Sequence, residues 1–200
     1  MNTSEVLSLI ASVFTFLSVA SYFKQLVKGE SIPNPATWLI WLAVTLLNTL
    51  TYFKVVEGNI WTSLVSIVLT IGFCVVFIYA SINGKFAKLE RLEIISLVLA
   101  VLIGIFWQTT GNAIIANLLI QVIFLISFYP TIVGLLRRKL KEKALPWIFA
   151  VISCSILITS VIMNWEQGGW VALAFPIIRM IGNGSVAIIV WGQNEKNLNK

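Results

Sequence analysis

Apolar residues run along this chain in long blocks rather than in strict alternation, and short polar intervals separate the blocks. Seven segments stand out: Glu5 to Val27, Pro35 to Val55, Asn59 to Ile82, Glu93 to Gln108, Asn112 to Leu136, Pro146 to Asn164 and Gly168 to Gly192. A helix crosses hydrocarbon about 30 Å thick with about 20 mostly apolar residues, because it rises about 1.5 Å per residue. The pattern therefore predicts seven spanning helices, the fourth the shortest, joined by short loops. Pro33, Pro35 and Pro146 fall at predicted helix starts, where a missing backbone N–H is tolerated. The opening run MNTSEVLSLIASVF has no basic residue ahead of it and no small-residue cleavage pattern after it. It is expected to remain as the first span rather than to be removed as a signal peptide.

Composition agrees with this pattern. Hydrophobic residues make up 58% of the 200 and charged residues 11%, against about 25% charged in a soluble domain. The chain reads as an integral, multi-pass, all-α membrane protein with no separate soluble domain. Its basic residues sort by side: Lys24, Lys28, Lys85, Lys88, Arg91, Arg137, Arg138, Lys139, Lys141, Lys143, Lys196 and Lys200 fall at one end of the predicted bundle and only Lys54 at the other. This asymmetry predicts an outer N-terminus and a cytoplasmic C-terminus in a plasma (inner) membrane. The run RRKLKEK at Arg137 to Lys143 is then a topology determinant with a weak pull on anionic lipid, and nucleic acid is not an expected partner. Aspartate and histidine are both absent, which removes histidine metal sites and histidine proton shuttles. Cys74 and Cys154 sit inside apolar runs without paired spacing and read as packing residues. QTTGN and IGNGS are not followed by the Lys-Ser/Thr pair of a phosphate loop. No arrangement supplies a nucleophile with a base, so neither an enzyme nor a bound cofactor or metal is expected.

A repeat organises the seven segments. A shift of 109 positions brings Trp38 onto Trp147, Thr51 beside Ser160, Glu57 onto Glu166 and Trp61 onto Trp170. Chance predicts roughly 0.15 tryptophan pairs at one fixed shift, so two pairs with a glutamate pair read as a duplication. Upstream, a three-residue change in loop length would bring Ser21, Tyr22 and Gln25 onto Ser127, Phe128 and Thr131. Residues 1–84 then form a first three-helix repeat, 85–109 a linker helix, and 110–200 a second repeat with a short tail. An odd linker span keeps the two repeats parallel, an arrangement that in transporters places the solute site at the repeat interface near mid-membrane.

The strings SYFKQLVKGESIPNPATWLIW and SFYPTIVGLLRRKLKEKALPWIF resemble the PQ-loop signature of the superfamily that holds the SWEET sugar transporters, the lysosomal cystine exporters and the KDEL receptors. The resemblance covers the whole chain, in the full-length layout of three, one and three helices. It implies a small-solute transporter working by alternating access, with proline hinges of which Pro35, Pro130 and Pro146 are the candidates here. Lys24 stands where the family has a fourth proline. It also implies a solute gripped by asparagine on the third and seventh helices and stacked on aromatics of the second and sixth, which points to Asn183, Trp38 and Trp147.

One residue does not fit a plain span. Arg179 lies eleven residues beyond Gly168 in the last segment, about 16 Å along a helix and therefore at mid-hydrocarbon. A central arginine costs about 2.5 to 3.5 kcal/mol on insertion scales and faces the bundle interior. Two readings stand side by side. In one, Arg179 locks helices together through carbonyls freed by Pro176, through Gln121 or through Asn48. In the other, its guanidinium faces a watery cavity and meets an anionic or carbonyl-bearing solute. Asn183 shares its face at i+4, and the repeat places Thr70 opposite Arg179 and Cys74 opposite Asn183. The expected substrate-binding set is Arg179, Asn183, Thr70, Cys74, Trp38 and Trp147, with Thr45, Thr49, Ser153 and Ser155 as further candidate hydroxyls. The expected function is facilitated diffusion of a sugar-like or anionic solute through a protein that can form homo-oligomers. The alternative is a non-transporting receptor or accessory protein of the same fold.

Overall fold

The computed structural model describes residues 1–30, 35–84, 91–137 and 142–198, with side chains to residue 193. Among the described residues it holds seven helices: α1 (Thr3–Val27), α2 (Pro35–Val55), α3 (Ile60–Asn83), α4 (Arg91–Thr110), α5 (Ala113–Leu136), α6 (Ala144–Met163) and α7 (Gly169–Leu198). All seven are long and apolar enough to cross a membrane. The starts follow from local chemistry. Asn2 and Glu5 form a reciprocal capping box on α1, and Asn59 and Asn112 accept from the first N–H groups of α3 and α5. The expected bounds shift at several helix ends, α4 and α7 among them. The helix α4 is longer than its apolar run because Thr109 and Thr110 turn their hydroxyls back onto Ile105 and Phe106 carbonyls. The helix α7 continues past Gly192, where polarity ends the span but not the helix, and Gln193 reaches the Leu135 carbonyl of α5 at 2.8 Å.

The packing pairs obey an exchange. In the first half, α1 and α2 each pack on α3. In the second, α5 and α6 each pack on α7. Between halves, α1 packs on α6 as α5 packs on α2, and α3 meets α6 as α7 meets α2. Swapping α1 with α5, α2 with α6 and α3 with α7 returns the same set, while α4 joins α5 and α2 without a counterpart. Helices α1, α2 and the start of α3 land on α5, α6 and the start of α7 under the single shift of 109 to within one residue. The first loops of the two halves are thus equal in length, and the expected three-residue change is not found. Three residues are close to one helical turn, so the displaced register of Ser21 and Tyr22 had kept similar residues on the same helix face.

The two seams between the halves are polar and tightly closed. On the α1–α6 seam, Ser8 and Ser160 hydroxyls meet at 2.8 Å, Thr15 and Ser153 at 2.7 Å, and Ser160 and Ser153 also approach the Ser4 and Ala11 carbonyls at 2.7 Å. Small residues let these backbones approach, and hydroxyls bond across the gap, as spanning helices require where lipid supplies no hydrophobic drive. On the α2–α5 seam, Asn117 donates to Thr51 at 3.0 Å and Gln121 to Asn48 at 2.9 Å. Ser8 with Ser160 and Asn117 with Thr51 are the same contact seen from the two halves, since the shift of 109 carries Ser8 to Asn117 and Thr51 to Ser160. Ser160→Ala is expected to destabilise the fold by about 1 kcal/mol, from two interhelical bonds at about 0.6 each. Thermal unfolding in detergent checks this, and an unchanged melting temperature would contradict it.

At one end of the bundle the loops of the two halves are tied by Asn59 Nδ2 donating to Gln167 Oε1 at 2.6 Å. Gly168 is required there: its φ is +82°, and a Cβ would lie 2.8 Å from the Val55 carbonyl of α2. At the other, basic end Lys143 donates to Glu30 at 2.6 Å, a bond between halves that holds the Glu30 carboxyl below its usual range.

Candidate functional site

Pro176 lies inside α7, and its missing N–H frees the Ala172 carbonyl one turn back. Tyr52 of α2, fully buried, donates its hydroxyl to that carbonyl at 3.2 Å. Its ring packs on Phe175 at 5.0 Å between centroids, and Phe175 packs on Phe124 of α5 at 6.3 Å. Arg179 emerges directly from this aromatic floor. It is 4% exposed, with its guanidinium carbon 5.3 Å from the centre of the Phe175 ring. Its Nη1 is buried without a hydrogen-bond partner, and among the described residues no carboxylate pairs with it. Cys154 of α6, also buried, lies near enough to feel its charge.

None of the structural partners expected for Arg179 bonds its guanidinium among the described residues. The carbonyl freed by Pro176 is taken by Tyr52. Gln121 Nε2 and Asn117 Nδ2 donate to Asn48 Oδ1, while Gln121 Oε1 and Asn48 Nδ2 are buried without a partner of their own. What remains is the cation–π contact, about 2 kcal/mol when desolvated, against about 2.5 to 3.5 kcal/mol for a central arginine. The ring offsets most of the charge penalty but satisfies no N–H donor, and a guanidinium carries five.

The other candidates fall into separate places. Asn183, 7% exposed, donates to the Arg179 carbonyl at 2.6 Å, so its amide is partly spent on its own helix. Thr70 pairs with Thr49 at 2.8 Å across α2 and α3, and Cys74 is half-buried nearby on α3. Trp38 is held between Tyr22 at 5.3 Å and Phe73 at 5.2 Å. Among the described residues no hydrogen bond, ion pair or ring contact joins Arg179 to Thr70, Cys74, Trp38 or Trp147. Thr45 and Ser155 bond carbonyls of their own helices, and Ser153 belongs to the α1–α6 seam. Pro35 and Pro146 stand in the first turns of α2 and α6, while Pro130 stands inside α5.

Trp147 packs at the basic end with Leu135, Val186 and Val190. Its indole nitrogen is buried and faces Glu142 without meeting hydrogen-bond geometry. Burial pushes the Glu142 carboxyl up to about 7 against the weaker opposing pull of the indole. The unfolded chain releases this proton near pH 4.5 and the folded one near 7, so between those values the folded state holds more protons and stability falls as pH rises. The melting temperature is expected to drop from pH 5 to pH 7.5 in the parent and to stay flatter in Glu142→Gln. Parallel curves would contradict it.

Sequence reading missed three participants. Phe175 precedes Arg179 by four positions, a spacing that places ring and cation on one face and could have been used. Trp41, rather than Trp38, reaches the second half, packing on Phe124 at 5.9 Å and Phe128 at 5.7 Å. Tyr52 carried no comparable signal, because the carbonyl it answers belongs to a helix 120 residues away.

No family model matches this chain, and neither a curated protein nor a solved structure does.

Proposed function

We propose that the protein is a membrane transporter for a small solute, in which the two three-helix halves rock around a site at Arg179. The observation that carries this reading is the buried guanidinium whose Nη1 has no hydrogen-bonding partner among the described residues. Evolution of a purely structural arginine would be expected to place an acceptor beside it, since an unpaired buried donor costs about 1 to 3 kcal/mol. A solute that brings an oxyanion or a carbonyl supplies that acceptor when it binds. The hydroxyl- and amide-bearing candidates point the same way by contrast: Thr70 and Asn183 have hydrogen-bond partners within the protein, whereas the Arg179 guanidinium makes no hydrogen bond among the described residues. An anionic solute therefore fits better than a neutral sugar.

Exchange of the halves is supported by the paired packing and by seams closed with hydroxyls and amides, which can trade partners with water as they open. Glutamate is absent from the middle of the spans, so the solute's own gradient is the driving force in this reading. The N-terminus faces outside and the C-terminus the cytoplasm of a plasma membrane; a fluorescent protein fused after Lys200 is expected to mature, and alkaline phosphatase placed there to stay inactive. Transport itself is tested by counterflow in proteoliposomes with labelled monosaccharides, small carboxylates and sugar phosphates. Accelerated exchange of an anionic member is the expected result. Folded protein that exchanges none of them would contradict the reading.

A further inference from the structure

Two polar atoms are left over in the α2–α5 seam. Gln121 Nε2 and Asn117 Nδ2 both donate to Asn48 Oδ1, at 2.9 and 3.3 Å, and Asn117 Nδ2 also reaches the Thr51 hydroxyl at 3.0 Å. Gln121 Nε2 further approaches the Asn117 carbonyl and Oδ1, at 3.0 and 3.2 Å. Asn48 Nδ2 and Gln121 Oε1 have no partner among the described residues, although Asn48 is 1% exposed and Gln121 3%. The first is a donor and the second an acceptor. They belong to the two amides that share the 2.9 Å bond and are therefore neighbours.

Packing of the seam does not need this pair. Both seams close with the contact that Asn117 and Thr51 share with Ser8 and Ser160. The same shift of 109 relates Gln121 to Ser12 and Asn48 to Leu157. Ser12 spends its hydroxyl on the Ser8 carbonyl at 2.7 Å, and Leu157 is fully buried. One seam thus closes with a serine and a leucine where the other keeps two amides and leaves an atom of each without a partner. Unpartnered polar atoms disfavour the closed state, and their presence on one seam alone marks a place where a further group binds.

The pair stands at the level of Arg179. Tyr52 and Phe175 pack at 5.0 Å and tie α2 to α7. The two helices run in opposite directions, since α2 starts from the end that holds Glu30 and Lys143 and α7 from the end that holds Asn59 and Gln167. Asn48 is four residues before Tyr52 and Arg179 four after Phe175, so each lies one turn from the ring contact toward the basic end. We propose that Asn48 Nδ2 and Gln121 Oε1 read a hydroxyl of the solute whose anionic end meets Arg179. A hydroxyl accepts from the first and donates to the second; a carboxylate can only accept, and an alkyl chain does neither. Resting on the transport reading, this contact narrows the solute to hydroxylated anions, sugar acids and sugar phosphates among them.

The test is thermal unfolding of the purified full-length protein in detergent with two matched pairs of carboxylates, glycerate against propanoate and gluconate against hexanoate. Each pair is equal in carbon number and differs in hydroxyls. The hydroxylated member is expected to raise the melting temperature of the parent by several degrees more than its bare partner. In Asn48→Leu/Gln121→Ser, which copies the residues of the other seam, the two members are expected to act alike. Gln121→Met carries the comparison if the double variant fails to fold. Equal rises within each pair in the parent, or a hydroxyl preference that survives these substitutions, would overturn the contact and leave Arg179 standing. No rise with any of the four in the parent, or the same rises in Arg179→Met, would instead overturn the transport reading beneath it.

Discussion

Arg179→Met is expected to melt at the same temperature as the parent or above it, while losing solute exchange altogether. The substitution removes a charge that costs about 2.5 to 3.5 kcal/mol at mid-membrane and a ring contact of about 2, so the balance favours methionine by about 1 kcal/mol. It orphans no acceptor, because none is bonded to the guanidinium. Truncating one member of a buried ion pair behaves differently and costs about 3 to 5 kcal/mol, since it strands the other charge. A strongly lowered melting temperature would therefore show that Arg179 holds the helices together. Stability gained where function is lost is the ordinary mark of a binding residue.

The second large effect is expected at Gly182, one turn from Arg179 on the side facing α5. A Cβ there would lie 2.2 Å from two carbons of the Phe128 ring, a distance that real structures do not tolerate. Phe128 cannot simply yield, because it also packs on Trp41 at 5.7 Å. Gly182→Ala is expected to destabilise by about 1 to 3 kcal/mol as an overpacked core does, with Phe128→Leu recovering much of the loss in the double variant. The first half holds a parallel contact, in which a Cβ on Gly72 would lie 2.6 Å from a Val19 methyl of α1. Gly72→Ala is expected to cost less, because valine has fewer neighbours to displace. Additive effects of Gly182→Ala and Phe128→Leu would contradict the contact.

Helix number and limits were legible because spanning segments are written in local composition. Every bound except the end of α7 was read to within two residues of that found. The start of α6 was read two residues late because Ala144 and Leu145 precede the proline that marked it. The shift of 109 that pairs Trp38 with Trp147 and Glu57 with Glu166 also superposes the bounds of α1 and α2 on those of α5 and α6, but the register read upstream differs from it, where a slip of three keeps the same helix face. The site was only half legible. Arg179 declared itself by its charge in an apolar run, whereas its freedom from Gln121 and Asn48 depends on how α2 meets α5, a long-range fact that no local pattern encodes. The role of Pro176 was legible as a freed carbonyl; that Tyr52 would answer it was not.

The central claim is that the Arg179 guanidinium waits for an acceptor carried by the solute. It is tested most directly by thermal shift of the purified parent and Arg179→Met against neutral sugars, small carboxylates and sugar phosphates in parallel. The account predicts that an anionic compound stabilises the parent and not the variant, while the two ligand-free proteins melt within a few degrees of each other. A variant that melts far lower, with no compound stabilising either protein, would contradict it.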